Sequence, residues 1–164
     1  MTTNFETNAA FHIAGCVITA QPDAAAIDYC VEWARRHGAE ILSHDDRMAL
    51  FVQFDATSGR LILFGCGTAQ ARKPPTLRFA YASAVKEAAG ADGQRRAGER
   101  GLVQAGDLAA AAQPGQVLLS SQLGSLLQVA QVEPFGRMRP MRVALADGRT
   151  ASAYAVEPRL ASPA

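Results

Sequence analysis

The segment Ala112-Gln113-Pro114-Gly115-Gln116-Val117-Leu118-Leu119-Ser120 decides how this chain is organised. The alanine-rich stretch Leu102–Ala112 that leads into it predicts a helix, because alanine has the highest helix propensity. The proline and glycine of the segment end that helix. Val117–Leu119 then predicts a buried strand, and Ser120 or Ser121 is suited to cap a following helix. The sequence therefore predicts a helix, a turn, a strand and a helix in close succession.

Upstream of this segment, strand and helix patterns alternate. Phe11–Ala20 is rich in β-branched residues and predicts a strand, while the apolar spacing over Asp23–His37 predicts a helix. Two apolar runs, Ala39–Ser43 and Met48–Phe54, flank an acidic turn and predict a hairpin. A second helix is predicted around Leu61–Phe64. The order of these elements is strand, helix, hairpin, helix.

The middle of the chain predicts one more strand between two loops. Asp55 or Ser58 is the expected N-cap of the second helix, and Lys73-Pro74-Pro75 forces a loop after it. Thr76–Val85 predicts a strand. The stretch Gly90–Gly101 is rich in glycine and arginine but lacks the spacing of a phosphate-binding loop. We therefore expect a flexible, solvated loop there.

The C-terminal region predicts strands only. They are Gln131–Phe135, Arg139–Leu145 and Thr150–Val156, the last two joined by an Asp147-Gly148 hairpin turn. Strands interleaved with helices and hairpins are typical of an α+β fold. The sequence therefore predicts a ferredoxin-like βαββαβ core with a C-terminal helix and β-hairpin.

The composition is that of one small globular domain. The chain has 164 residues, and residues 10–157 hold all the predicted elements, so 1–9 and 158–164 are expected to be flexible. Its three cysteines are widely spaced and form no Cys/His cluster, which favours a reduced, cytoplasmic setting. A net charge of +1 gives no attraction to nucleic acid or to membranes. The sequence contains no secretory signal and no apolar run long enough to span a membrane. Neither nucleic acid nor a membrane is therefore expected as a partner.

Five segments, in their order along the chain, resemble class III adenylate and guanylate cyclase domains. Ala112–Ser120 resembles the A-x-P-G-x-(I/V)-x-(V/L)-S segment that follows the penultimate helix in that family. His37–Ile41 resembles the h-G-G-x-(I/V) entry to the second strand, and His44–Phe51 resembles the G-D-x-x-M-A-x-F hairpin. Leu77–Ala82 lies where L-R-I-G-I-H-x-G is expected, and Tyr154–Val156 is similar to the closing V-Y-x-V. The resemblance covers residues 10–157 and implies a core of the nucleotide-cyclase type.

The resemblance fails at the metal-binding residues. Members of the family use two carboxylates to hold two divalent metals against the substrate triphosphate. The first carboxylate position corresponds to Gly15, and the second corresponds to Asp45, which is retained. One carboxylate is a poor cage for a two-metal reaction, so no metal or other cofactor is expected. Asp45 stays a weak metal candidate, and an Asp-rich turn that caps its own backbone is the favoured interpretation.

The residues that the family uses to read the base and to stabilise the transition state are also missing. Ile41 and Leu42 stand where the base-reading lysine is expected. The N-x-x-x-R pair on the later helix corresponds to Val103 and Asp107, and a carboxylate there would repel phosphate. The resemblance therefore implies a cyclase-like domain without catalytic residues.

Two functions remain open from the sequence. The favoured one is a non-catalytic regulatory or protein-interaction domain in signalling, which forms a homodimer or binds a signalling protein. The alternative is a nucleotide-binding protein or a residual nucleotidyl cyclase that uses Asp45. For the favoured function, the small or apolar residues at the former site positions predict a dry contact surface: Gly15, Cys16, Ile41, Leu42 and Val103.

Overall fold

The computed structural model describes residues 11–56, 59–84, 86–88, 95–97, 99–130 and 137–157. The helices are α1 (Ala24–Arg36), α2 (Arg60–Gln70), α3 (Glu99–Ala111) and α4 (Ser121–Val129). The strands are β1 (Phe11–Thr19), β2 (Glu40–His44), β3 (Met48–Ala56), β4 (Leu77–Ser83), β5 (Lys86–Ala88), β6 (Arg95–Ala97), β7 (Val117–Ser120), β8 (Arg137–Ala144) and β9 (Thr150–Glu157). The predicted α+β class is confirmed.

A seven-stranded sheet in the order β2-β3-β1-β4-β7-β9-β8 forms the centre of the fold. Its β2-β3-β1-β4 part is antiparallel throughout, and α1 and α2 make the crossovers, so the predicted ferredoxin-like βαββαβ core is confirmed. β7 is added parallel to β4, and the β8–β9 hairpin extends the sheet antiparallel to β7. α4 and this hairpin are the predicted C-terminal elements.

Helices cover both faces of the sheet, and two apolar cores result. Successive side chains of a strand point to opposite faces, so each central strand contributes to both cores. On one face, α1, α2 and α4 bury residues such as Ile13 and Phe79. On the other face, α3 covers Ala14 and Cys16 with its own alanines, among them Ala109. Because alanine is small, α3 can lie close to the sheet.

Two predicted helix starts and the deciding turn are confirmed in detail. At α1, the Ala26 N–H donates to Asp23 Oδ1 at 3.1 Å, and at α4 the Leu123 N–H donates to Ser120 Oγ at 3.1 Å. Gly115, between α3 and β7, has a φ of 84°. A Cβ at Gly115 would also lie 2.7 Å from Pro75 Cβ, so this turn requires glycine on both grounds.

The predicted start of the second helix is wrong. Asp55 belongs to β3, which runs on to Ala56, and Ser58 lies outside the described residues. Gly59 takes the N-cap position of α2 without a side-chain hydrogen bond. The predicted strand ends at Phe54 because the apolar pattern of the sequence ends there. The observed strand includes two further residues, Asp55 and Ala56.

The predicted loop Gly90–Gly101 is wrong over its C-terminal part. Arg95–Ala97 pairs with Lys86–Ala88, and α3 already begins at Glu99. Gly101 lies in the first turn of α3, where a Cβ would stand 2.4 Å from the Ser83 carbonyl oxygen. Glycine is needed there because the helix approaches β4 closely. In the sequence alone, a glycine required by such a tertiary contact cannot be distinguished from a glycine of a loop.

Several predictions fall outside the described part of the chain. These are the strand Gln131–Phe135 and the flexible segments 1–9 and 158–164. Within the residues that are described, no helix is long and apolar enough to cross a membrane.

Tyr81 links α2 to the sheet from inside the first core. It is the largest fully buried side chain described, and its hydroxyl donates to the Leu61 carbonyl oxygen at 2.9 Å. Burial raises the pKa of the Tyr81 hydroxyl well above its usual value. Gly65 makes room for this side chain, because a Cβ there would lie 2.3 Å from Tyr81 Oη.

We predict that Gly65→Ala lowers the free energy of unfolding by about 1–3 kcal/mol, because the added methyl displaces a buried hydroxyl from its hydrogen bond. Gly67→Ala in the same helix is the matched control, since a Cβ there meets nothing within 4 Å. It should raise the free energy of unfolding by about 0.5–1 kcal/mol. Chemical denaturation measures both changes. Equal effects of the two substitutions would contradict the packing of Tyr81 on α2.

Candidate functional site

The first site position of the resemblance lies in a row of side chains that crosses the sheet. The strand register places Ile41 opposite Phe51, Phe51 opposite Gly15, and Gly15 opposite Tyr81. The Phe51 ring covers Gly15 so closely that a Cβ there would stand 2.3 Å from Phe51 Cε2. Gly15, Phe51 and Tyr81 are all buried on the face that α1, α2 and α4 cover. The Gly15 position is therefore part of an apolar core.

The predicted dry contact surface is wrong. Gly15 and Cys16 are buried on opposite faces of β1, and burial raises the pKa of the Cys16 thiol to about 12. Leu42 and Val103 are 45% and 57% exposed, but Leu42 is in the edge strand β2 and Val103 is on α3. Consecutive strand residues alternate between faces, so this set could not form one surface.

Asp45 closes the turn between β2 and β3. Its Oδ1 accepts hydrogen bonds from the Arg47 N–H at 2.7 Å and from the Met48 N–H at 2.9 Å. These two bonds hold the pKa of the Asp45 carboxyl below its usual value. The structure thus favours the turn-capping interpretation of Asp45 over the metal ligand.

The residues present do not fit a two-metal centre. Within the described ranges, no three His, Cys, Asp or Glu side chains are grouped so that they could hold a metal ion. β1 carries no carboxylate along its whole length, and the Asp45 carboxylate already accepts hydrogen bonds from its own turn.

The N-terminus of α1 holds a carboxylate of the chain itself. The Ala26 N–H and the Arg72 guanidinium both donate hydrogen bonds to the Asp23 carboxylate. The bond from Ala26, and after it the bond from Arg72, holds the pKa of Asp23 below its usual value. A cavity of about 350 Å³ borders this ion pair. Helix N-termini commonly bind phosphate or other anions. Here the Asp23 carboxylate occupies the place of such an anion. The adjoining cavity is therefore lined by a carboxylate that is already paired with Arg72.

Val103 and Asp107 line a cavity of about 460 Å³ between α3 and the β8–β9 hairpin. Asp107 Oδ2 lies 4.0 Å from Arg149 Nη2, and Arg149 Nε donates to Asp147 Oδ2 at 2.6 Å. Arg149 is thus shared between two carboxylates, whereas Arg100, which also lines this cavity, forms no ion pair with another described residue. The pair Val103 and Asp107 supplies neither an amide nor a guanidinium to this cavity.

The structure brings the five site positions together only in part. Gly15 and Ile41 flank Phe51 in one row, and Val103 and Asp107 lie one turn apart on α3. The Asp45 turn lies at the sheet end where Thr19 pairs with Leu77, whereas the β8–β9 turn lies at the opposite end. No single described cavity includes all of them.

The sequence analysis missed an aromatic stack between α1 and α2. The ring of Trp33 lies between His37 and Phe64, with centroid distances of 3.9 and 4.1 Å. Tyr29 adds a fourth ring at 5.8 Å from Phe64. The helical spacing of Tyr29, Trp33 and His37 was the available signal, whereas Phe64 comes from another helix. The Asp23–Arg72 pair was also missed, because its two residues are distant in the sequence.

Comparison with known proteins gives a consistent answer at the level of fold. No protein-family model and no curated protein matches the sequence. The adenylyl cyclase CyaB from P. aeruginosa is similar in structure, with a TM-score of 0.64, 13% identity, and coverage of 95% of this chain and 98% of that one. The guanylate cyclase domain of RhGC from Catenaria anguillulae, solved with GTP, has a TM-score of 0.63 at 12% identity, with 92% and 98% covered.

A third similar structure is a dimeric guanylyl cyclase domain of the RhoGC fusion protein from Blastocladiella emersonii. It has a TM-score of 0.61 and 11% identity, and the alignment covers 93% of this chain and 98% of that chain. These similarities extend over nearly the whole length of both partners, and they agree with the order of segments in the sequence. The chain has the fold of the adenylyl and guanylyl cyclase domains.

Proposed function

We propose that this chain is a non-catalytic, cyclase-like domain that acts in signalling through protein contacts. The observation that carries the proposal is the packing of Phe51 on Gly15. At this position the resemblance calls for a metal-binding carboxylate, and the added Cβ alone would lie 2.3 Å from Phe51 Cε2 and 2.7 Å from Cζ. A carboxylate that did fit would enter an apolar core, where burial disfavours its charged form.

Two further features support the loss of nucleotide chemistry. At the α1 N-terminus the Asp23 carboxylate would repel a phosphate, and Arg72 is already paired to it. On α3, the side chain corresponding to the transition-state arginine is Asp107, whose charge has the wrong sign for a developing anion. Gly15 bears on metal binding, Asp23 on phosphate binding and Asp107 on the charge of the transition state. The three features would therefore impair different steps.

We predict that the purified chain forms no cyclic nucleotide from ATP or GTP with Mg²⁺ or Mn²⁺. Loss of one transition-state donor alone typically lowers a rate by ~10²–10³. An active cyclase under the same conditions is the positive control. Gly15→Asp should gain no activity and should unfold at lower denaturant concentration than the native sequence. Product formation that disappears in Asp45→Ala would overturn the proposal and favour a residual cyclase.

The aromatic stack is the described surface best suited to a protein contact. Tyr29 is 59% exposed on α1 and contacts Phe64 of the stack, and Leu63, the chain neighbour of Phe64 on α2, is 46% exposed. Aromatic side chains are enriched at interfaces because they bury a large rigid area at low entropic cost. The partner we propose for this surface is a second copy of the chain, as one similar solved cyclase domain is a dimer.

We predict a concentration-dependent dimer in sedimentation-velocity experiments. The double substitution Tyr29→Asp and Leu63→Asp should weaken it at least about tenfold, because two charges would be buried in the contact. Val129→Asp on α4 is the control, since Val129 is 84% exposed and outside the stack. A native chain that stays monomeric at several hundred micromolar contradicts the dimer. A dimer that only Val129→Asp weakens assigns the contact to another face.

A further inference from the structure

A second cavity, of about 320 Å³, lies at the end of the sheet where β1 begins and β4 ends, and it shares Arg100 and Gln104 with the cavity between α3 and the β8–β9 hairpin. The first turns of α3 and α4 form its other walls. It belongs to none of the positions that the cyclase resemblance identifies. Its polar lining consists of His12, Ser83, Arg100, Gln104 and Gln122.

The one ionised side chain that lines this cavity is positive, and the Asp55 carboxylate lies behind the lining His12, 3.9 Å from its Nδ1. None of its ten lining residues is an aspartate or a glutamate, and Arg100 is its one arginine or lysine. Arg100 forms no ion pair or hydrogen bond with another described residue. It also lies in the first turn of α3, where the helix dipole disfavours a cation. An anion in the cavity would interact favourably with both the guanidinium and the helix dipole.

Two polar side chains of the cavity, Ser83 and His12, can donate hydrogen bonds to a ligand. Ser83 Oγ is enclosed by protein atoms and has no hydrogen-bond partner among the residues that the structure describes, an arrangement that costs free energy unless a ligand or water supplies one. His12 Nδ1 accepts a hydrogen bond from the Asp55 N–H at 3.1 Å. In the neutral ring this leaves the hydrogen on Nε2, so His12 can serve as a donor. Ser83 and His12 together add two donors to the guanidinium.

The rest of the lining is apolar. Phe11, Ala84, Leu123 and Leu126 contribute hydrocarbon surface, and Leu126 is 45% exposed. The volume is at the lower end of the range for small-molecule sites. The geometry points to a binding site for a small organic anion, whose carboxylate or phosphate head binds Arg100 and Ser83 and whose apolar body contacts Phe11 and Leu126. The site is independent of the proposed loss of cyclase activity.

Calorimetric titration of the full chain with four probes tests this site. The probes are phenyl phosphate, benzoate, inorganic phosphate and benzyl alcohol. At least one of the two aromatic anions should bind about tenfold more tightly than either inorganic phosphate or benzyl alcohol, because only it combines charge with an apolar body. Which aromatic anion binds better identifies the head group. If inorganic phosphate binds as tightly as the aromatic anions, or if no probe binds at millimolar concentration, the inference is wrong.

Matched variants locate the binding. Arg100→Gln should weaken the aromatic anion about tenfold or more, because a charge-assisted pair is lost. Arg149→Gln, in the neighbouring cavity between α3 and the β8–β9 hairpin, should change the affinity less than about twofold. Ser83→Ala should weaken binding several-fold without lowering the melting temperature of the free protein, since it removes an unpaired hydroxyl. Equal affinity of the native chain and Arg100→Gln would overturn the assignment.

Discussion

The contact between Phe51 and Tyr81 across Gly15 is the interaction on which the first core depends. The two rings belong to β3 and β4, and β1 runs between them with no side chain at Gly15. Their centroids are 6.3 Å apart in an edge-to-face arrangement, which is favourable for aromatic pairs. Tyr81 in turn fixes α2 through the Leu61 carbonyl oxygen. A glycine in the central strand thus lets two aromatic side chains join three strands and a helix.

The packing around Gly15 bears directly on whether the chain can bind catalytic metals. In our proposal this strand offers a metal no charged ligand, because β1 has no Asp or Glu and Gly15 lies under the Phe51 ring. At the α1 N-terminus, Asp23 is paired with Arg72 beside a cavity of about 350 Å³. A cyclase-type fold is compatible with this packing, because apolar packing and strand register define a fold whereas function depends on the residues of a site.

The order of elements could be predicted from the sequence because it depends on local signals. Ser120 caps α4 as predicted, and Gly115 makes the turn that its neighbourhood indicated. The features that could not be predicted depend on residues distant in sequence. Gly101 resembles a loop residue until its contact with β4 is known, and the Phe64 ring meets Trp33 only after two helices have packed. For Asp45, turn chemistry already favoured a backbone-capping role over a metal ligand, and its hydrogen bonds to Arg47 and Met48 agree with that role.

Paramagnetic broadening of backbone amide signals by Mn²⁺ with ATP or GTP tests the absence of a metal–nucleotide site most directly. In ¹H–¹⁵N spectra, a bound Mn²⁺ selectively broadens amides close to it. Our account predicts no selective broadening at Asp45–Met48 or at Asp23–Ala26 up to millimolar nucleotide. Selective broadening of the Asp45 turn that Asp45→Asn removes, and that Asp46→Asn leaves, would show a metal site and contradict the account.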